Sequence, residues 1–243
     1  MFRKMILVLI SLIMTAPIFS QNPTAMDKIN TSAGDVEMYF IGHGSLMFKV
    51  NNYCIYVDPV RSSGSYKNLP QADLILVTHE HYDHLDPDLI RDLRKPETIM
   101  LCNANTSSQI RWAQSMKAGD KKVVNDITIE AVPAYNMVNM RSPGQPFHPK
   151  GVGNGYIITM GNRNIYVAGD TENTPEMKSL KDIYVAFLPM NLPYTMTPEM
   201  VADAVMSFKP QILYPYHYGE TITDKLIQLL KNTNIEVRIR NLK

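Results

Sequence analysis

Thr78-His79-Glu80-His81-Tyr82-Asp83-His84-Leu85-Asp86 is the stretch on which the reading of the whole chain depends. It directly follows Asp73-Leu74-Ile75-Leu76-Val77, an apolar run of the kind that forms a strand buried on both faces, so the polar residues leave a sheet at the carboxyl end of a strand. Open α/β sheets place their chemistry at that edge. Imidazole nitrogen and carboxylate oxygen are the donors a borderline ion such as zinc accepts, and three His with one Asp between positions 79 and 84 exceed what one tetrahedral site takes from a single loop. The surplus points to two ions. In the extended part His79 and His81 project to the same side and can share one ion, while Asp83 and His84, past the strand end where the chain turns, can serve a second. The chain has only 6 His, and gathering three of them here argues against an accidental polar loop.

Working outward, further chemistry-bearing residues recur in order: Gly42-His43, Asp58-Pro59, His148, Gly169-Asp170 and His217. Asp58, Asp170 and His217 each follow an apolar strand-like run, so they reach the same edge as the histidine-rich loop. Asp58 reads as a turn carboxylate or as an acceptor that fixes the tautomer of a ligand histidine. His43 reads as a turn cap or as a hydrogen-bond donor to substrate.

With the motif His79-x-His81-x-Asp83-His84 and these satellites, the chain from about residue 36 onward resembles the metallo-β-lactamase superfamily. Within it the chain is most similar to the metal-dependent hydrolase branch that contains the ascorbate phosphate lactonase and, more distantly, a phospholipase D-like enzyme. The resemblance implies an α/β fold, a four-layer αββα sandwich, although no internal repeat is legible in the sequence. It also implies that His148 joins His79 and His81 on the first ion and that His217 joins Asp83 and His84 on the second. Asp170, whose carboxylate has two oxygens to offer two cations, is read as lying between them.

A centre of this composition lowers the pKa of a bridging water toward about 7, which makes hydroxide available at neutral pH. The expected activity is that of a binuclear hydrolase attacking a small ester, lactone or phosphodiester, with Asp83, His43 and Tyr194 as candidate catalytic residues. Zinc is the first choice of metal, with manganese and iron as alternatives. A β-lactamase role is disfavoured because many of the family's β-lactamases carry Arg or Cys where His84 stands. An oxygen-reducing di-iron site is disfavoured because those relatives carry Glu where His81 stands. The alternative from another class is a non-catalytic zinc-binding protein of the same fold, against which an open water position argues.

Composition narrows the partners. At 243 residues and 45% hydrophobic, the chain can bury one sizeable core. Arg3 and Lys4 precede an apolar run over 5–14, which reads as a secretory signal peptide over 1–20 and implies a secreted or periplasmic protein, membrane-anchored if uncleaved. Loss of those two basic residues changes the formal charge from +1 to −1, so no electrostatic footprint for nucleic acid is present. A small-molecule substrate is expected, a membrane lipid among the candidates. Cys54 and Cys102 can pair or remain buried thiols.

Residues 21–35 read as a flexible leader and 36–243 as the hydrolase domain. Strands are expected over 36–41, 46–50, 53–57, 73–77, 98–101, 155–159, 164–167, 185–188, 212–215 and 235–239, a hairpin over 123–132, and helices over 86–94, 105–116, 197–208 and 221–231. Asn51-Asn52, residues that tolerate the positive φ of a type I′ turn, and Asn125-Asp126 are hairpin turns. The aperiodic segment 137–155, rich in Pro, Gly, Asn and Met, is a candidate wall or lid beside the site.

Overall fold

Residues 25–243 are described by a computed structural model; the expected signal peptide over 1–20 lies outside the described residues. The first sheet takes its seven strands in chain order: β1 (Met26–Thr31), β2 (Gly34–Gly42), β3 (Ser45–Val50), β4 (Tyr53–Val57), β5 (Ala72–Val77), β6 (Arg94–Cys102) and β7 (Gln114–Ser115). β1 to β4 form an antiparallel meander, and β4 to β7 pair in parallel across α1 (Pro87–Leu93) and α2 (Ala104–Gln109). A second sheet repeats the plan. β8 (Lys121–Val124) and β9 (Ile127–Ala134) lead to a small hairpin, β10 (Met140–Ser142) with β11 (Gln145–Pro146), after which β12 (Gly153–Met160) and β13 (Arg163–Val167) complete an antiparallel set. α3 (Pro175–Lys178), β14 (Ile183–Pro189), α4 (Pro198–Phe208), β15 (Ile212–Tyr216), α5 (Asp224–Leu230) and β16 (Glu236–Val237) then add parallel strands on the other side. The common plan of the two halves is a likeness of shape without a repeat in sequence.

Side-chain alternation explains the layering. On β5, Leu74 and Leu76 point into the core shared by both sheets, whereas Ile75 and Val77 point the other way, into a second core under α1 and α2 with Leu89, Ile90 and Leu93. Phe48 and Phe40 of the first sheet meet Phe187 and Tyr214 of the second at ring separations of 5.8 and 5.0 Å. The outer face of the second sheet is covered by α4, through Val201, Ala202, Val205 and Phe208. Helix, sheet, sheet and helix are thus stacked as an αββα sandwich. α4 starts where the sequence indicates: Thr197 accepts a hydrogen bond from the Met200 amide, and Pro198 occupies the first turn, where no amide donor is missed.

Four expectations need correction. The leader over 21–35 gives way at Met26 to strand β1, pinned through Asp27, which accepts hydrogen bonds from Tyr214 and Arg240 and lies 3.5 Å from Arg238. The helix expected over 105–116 stops at Gln109, because the chain leaves it to lay Gln114-Ser115 beside β6; Ile110 and Met116 are buried all the same. The terminal strand shrinks to Glu236–Val237. Asn51 alone takes a positive φ in its turn, whereas Asn125 and Asp126 both do, so only the second turn fits type I′. Cys54 and Cys102 are separate buried thiols, and burial pushes Cys102 up to about 12.

Candidate metal centre

All the residues singled out around the histidine-rich loop collect at one edge, where strands of both sheets end. His79 follows β5, His43 follows β2, Asp58 follows β4 and His217 follows β15. His43, Asp58 and His217 break their strands with φ of 50°, 44° and 46°, in the left-handed region that disfavours side chains. Such conformations cost roughly 1–3 kcal/mol each and persist where the surroundings enforce them. Two of these breaks are tied together: the His217 amide donates to the His43 carbonyl at 3.2 Å. Gly169, with φ of 65°, lets the end of β13 approach Thr78, since a Cβ there would lie 2.7 Å from the Asn154 carbonyl oxygen.

Two sets of donor atoms result. Ring nitrogens of His79, His81 and His148 lie within 4.8 Å of one another, and so do donor atoms of His43, Asp83, His84 and His217. Asp170 stands between them. Its Oδ2 is 3.3 Å from His148 Nε2, 3.5 Å from His217 Nε2 and 3.9 Å from His79 Nε2, and its Oδ1 is 3.4 Å from His84 Nε2.

Hydrogen bonds fix which ring nitrogen faces inward. Asp58 is fully buried and accepts from the Thr78 amide, the Thr78 hydroxyl and His84 Nδ1 at 2.7, 2.7 and 2.8 Å. The Thr78 oxygen, having donated its proton to Asp58, accepts from His79 Nδ1 at 3.0 Å. One carboxylate therefore orients histidines of both sets, and both turn Nε2 toward Asp170. On the other side Asn136 Oδ1 accepts from both the amide and Nδ1 of His148, at 2.8 and 2.7 Å. The Asn136 amide group donates in turn to Glu172, a buried carboxylate that also accepts the main-chain amides of Met137, Val138 and Asn139 at 2.7–2.9 Å. Glu172 thereby fixes the root of the 137–152 segment to the residue that holds His148.

Electrostatics favours ligation. Burial, reinforced by neighbouring histidines, holds His79 well below the ordinary imidazole range and lowers His81 as well, which leaves their lone pairs free. Burial opposes the charge of Asp170, yet His217 and His84 outweigh it and keep the carboxylate ionised. For His84 burial also opposes charge, and the flanking Asp170 and Asp58 carboxylates override it, raising the ring well above its usual range. A cation entering beside His84 would displace that proton. His84 Nε2, His217 Nε2 and Asp170 Oδ1 are buried without a hydrogen-bond partner among the described residues, a costly condition that a bound cation would relieve. The residues fit a metal centre.

A pocket of about 500 Å³ opens onto the cluster, lined by His43, His81, Tyr82, Asp83, Arg141, Phe147, His148, Asp170, Asn191, Tyr194 and His217. His43 Nδ1 lies 3.1 Å from the Lys243 main-chain oxygen and its Nε2 3.3 Å from Asp83 Oδ2, which places the ring among the donors of the second set. Tyr194 is at the rim, its ring edge-on to Phe147 at 5.1 Å. Sequence reading names His43, His81, Asp83, His148, Asp170, Tyr194 and His217 individually and places Arg141 and Phe147 only within the candidate wall over 137–155; it gives no role to Tyr82, Asn191, Thr78, Asn136 or Glu172. A carboxylate directly after Gly169-Asp170-Thr171 was the only sequence signal for Glu172.

Comparison with known proteins is consistent with this geometry. Residues 37–217 match the family described as Beta-lactamase superfamily domain. A UPF0173 metal-dependent hydrolase of Thermococcus kodakarensis is 30% identical over 196 residues, covering 76% of this chain and 85% of the relative. One from Lysinibacillus sphaericus is 26% identical over 218 residues, 83% of this chain and 96% of the relative. The crystal structure of a putative metal-dependent hydrolase from Parabacteroides distasonis superposes with a TM-score of 0.87 at 45% identity, covering 91% of this chain and all of that one. Igni18, a metallo hydrolase from Ignicoccus hospitalis, shares the fold at a TM-score of 0.69 and 24% identity, over 85% of this chain and 95% of its own.

Proposed function

Because the chain belongs to the beta-lactamase superfamily and is a metal-dependent hydrolase, we propose that it works with two divalent cations on a small ester, lactone or phosphodiester. His79, His81 and His148 would hold one cation and Asp83, His84 and His217 the other, with Asp170 shared. The observation that carries this reading is the Asp170 carboxylate, whose two oxygens face donor atoms of both sets at 3.3–3.9 Å. Nitrogen-rich ligation with two carboxylates suits zinc first, and manganese or iron next. When bound, such a pair supplies Lewis acidity and lowers the pKa of water toward about 7.

The protein's own groups supply the rest. Asp58, Thr78 and Asn136 hold the ligand rings in one tautomer and one orientation, so no reorganisation is needed when substrate arrives. Asp83 is part-exposed on the pocket floor, with Oδ2 3.3 Å from His43 Nε2, and this pair is set to accept a proton from water and hand one to a departing oxygen. Tyr194 and Phe147 wall the pocket and orient the body of the substrate. The apolar run that follows Arg3 and Lys4 supports export, which mass measurement of the mature amino terminus tests.

The decisive experiment is elemental analysis combined with turnover of a generic lactone, carboxylic ester and phosphodiester by stripped and reloaded protein. Two equivalents of metal with activity that returns in proportion to loading is the expected result. Full activity at one equivalent would remove the binuclear reading, and retained metal without turnover of any of the three would favour a binding role.

A further inference from the structure

We propose that Arg141 receives a second negative charge on the substrate, so that the preferred substrates are esters or phosphoesters carrying an anionic group apart from the bond that is cleaved. The inference rests on the hydrolase reading above and names the substrate class of the same pocket. Arg141 is the only Lys or Arg among the residues lining that pocket. The other formal charges there, Asp83 and Asp170, are carboxylates set 3.3–4.0 Å from the cluster histidines, Asp170 buried and Asp83 part-exposed, so neither attracts an anionic group.

The guanidinium is also uncommitted. Arg61, Arg91, Arg238 and Arg240 are each paired with a carboxylate, whereas Arg141 has no carboxylate partner among the described residues. Among the described residues the guanidinium instead meets the Phe147 ring, 5.7 Å from centroid to guanidinium carbon. Phe147 in turn abuts Tyr194, so an arginine and two aromatics from two different loops form one continuous wall. An aromatic face orients a guanidinium without consuming its hydrogen-bond donors, which stay directed at a carboxylate or phosphate that they can grip with two parallel bonds. The position is also held: Arg141 lies on β10, just beyond the amides of Met137, Val138 and Asn139 that Glu172 anchors. Phe147 touches Arg141 on one side and shares a cavity with His79, His81 and His148 on the other, which sets the shape of the class: a charged end, an apolar middle, and a scissile group at the cluster.

Metal-loaded protein is tested on a matched pair, p-nitrophenyl butyrate and the mono-p-nitrophenyl ester of glutarate, which differ by a carboxylate at the far end. Wild type should favour the glutarate ester. In Arg141→Ala the ratio of kcat/KM between the two should fall by about 10–100-fold, mostly through KM, with Arg141→Lys intermediate and Arg141→Gln close to Ala. Equal losses on both esters, or no preference in wild type, overturn the inference. Calorimetric titration with butyrate and glutarate gives a readout independent of turnover. If neither ester is hydrolysed but the binding advantage of glutarate over butyrate disappears in Arg141→Ala, the hydrolase reading fails while the anion site stands. If hydrolysis proceeds and glutarate has no such advantage, the reverse holds. Replacing the far carboxylate by a phosphonate, in 4-phosphonobutyrate, tells which of the two anions the site prefers.

Discussion

The two sheets furnish the metal cluster in different ways. The first delivers His79, His81, Asp83 and His84 from a single turn after β5, whereas the second delivers His148, Asp170 and His217 from three separate places, ahead of β12 and at the ends of β13 and β15. Four donors within one short turn need only local chain geometry to come together. Three donors on three segments become neighbours only when β12 to β15 have paired. Metal binding is therefore expected to depend on the pairing of β12 to β15 as well as on the Asp58 and Thr78 hydrogen bonds within the first half.

The sharpest way to break that comparison is Asp170→Ala, which removes the one carboxylate facing both sets. We expect turnover to fall by several kcal/mol of transition-state stabilisation, on the order of a thousand-fold, and metal content to fall for both sites, as read by steady-state kinetics and elemental analysis. Loss of one metal only would assign Asp170 to one set. Next in size is the pair His81→Ala and His217→Ala. Each should lose about one of two metal equivalents and more activity than the 10–100-fold that outer hydrogen-bond partners cost. An identical loss of both metals in each variant would show one coupled site.

Asp58→Asn is a smaller perturbation and separates the arms. It should weaken metal binding by about 10–100-fold, because the rings of both His84 and His79 lose their orientation. Thr78→Val, which disconnects His79 while leaving the Asp58 to His84 bond in place, should give the smaller share of that effect in a metal titration. Equal effects would mean that Asp58 acts through Thr78 alone.

The smallest expected effect lies at the outer edge of the first sheet, where β1 meets residues of the second. Asp27 is held below the ordinary carboxylate range: burial opposes its charge, and hydrogen bonds from Arg240 and Tyr214 outweigh it. Its stabilising contribution is present above its unfolded pKa of about 4 and is lost as pH falls through the lower folded value. Asp27→Asn should therefore lower the melting temperature by roughly 2–4 °C at pH 7, the equivalent of about 1 kcal/mol, and wild type and variant should converge at low pH. Unchanged melting at pH 7 would return β1 to the status of a leader.

What could be read in advance follows the same division. The histidine-rich turn is legible because its spacing is local, and Asp170 and His217 are legible because each directly follows an apolar strand. His148 needed the family resemblance, since nothing in the surrounding loop marks it. Asn136, Glu172 and Thr78 were not legible. Their importance lies in hydrogen bonds to partners that tertiary structure brings near, and an Asn, a Glu or a Thr near a strand end has ordinary reasons to be there. β1 was missed because Ile29 is the only large apolar residue it buries and its charged anchors, Arg238 and Arg240, lie at the opposite end of the sequence. The helix over 105–116 was overread because Ile110, Ala113 and Met116 have helical spacing, yet Ile110 and Met116 reach the core from a turn and an edge strand.

The carboxylate cage that Glu172 builds around three consecutive amides has a consequence for how this enzyme can diversify. The base of the substrate loop is locked to His148 through Asn136, while the β10–β11 hairpin beyond it, with Met140 exposed and Arg141 on the pocket wall, is free of that anchor. Changes at the tip can retune what enters the pocket without disturbing the metals. A change at the base alters selectivity and metal retention together. Mutational libraries for new specificity belong at positions 140–147, with 136–139 and 172 left untouched.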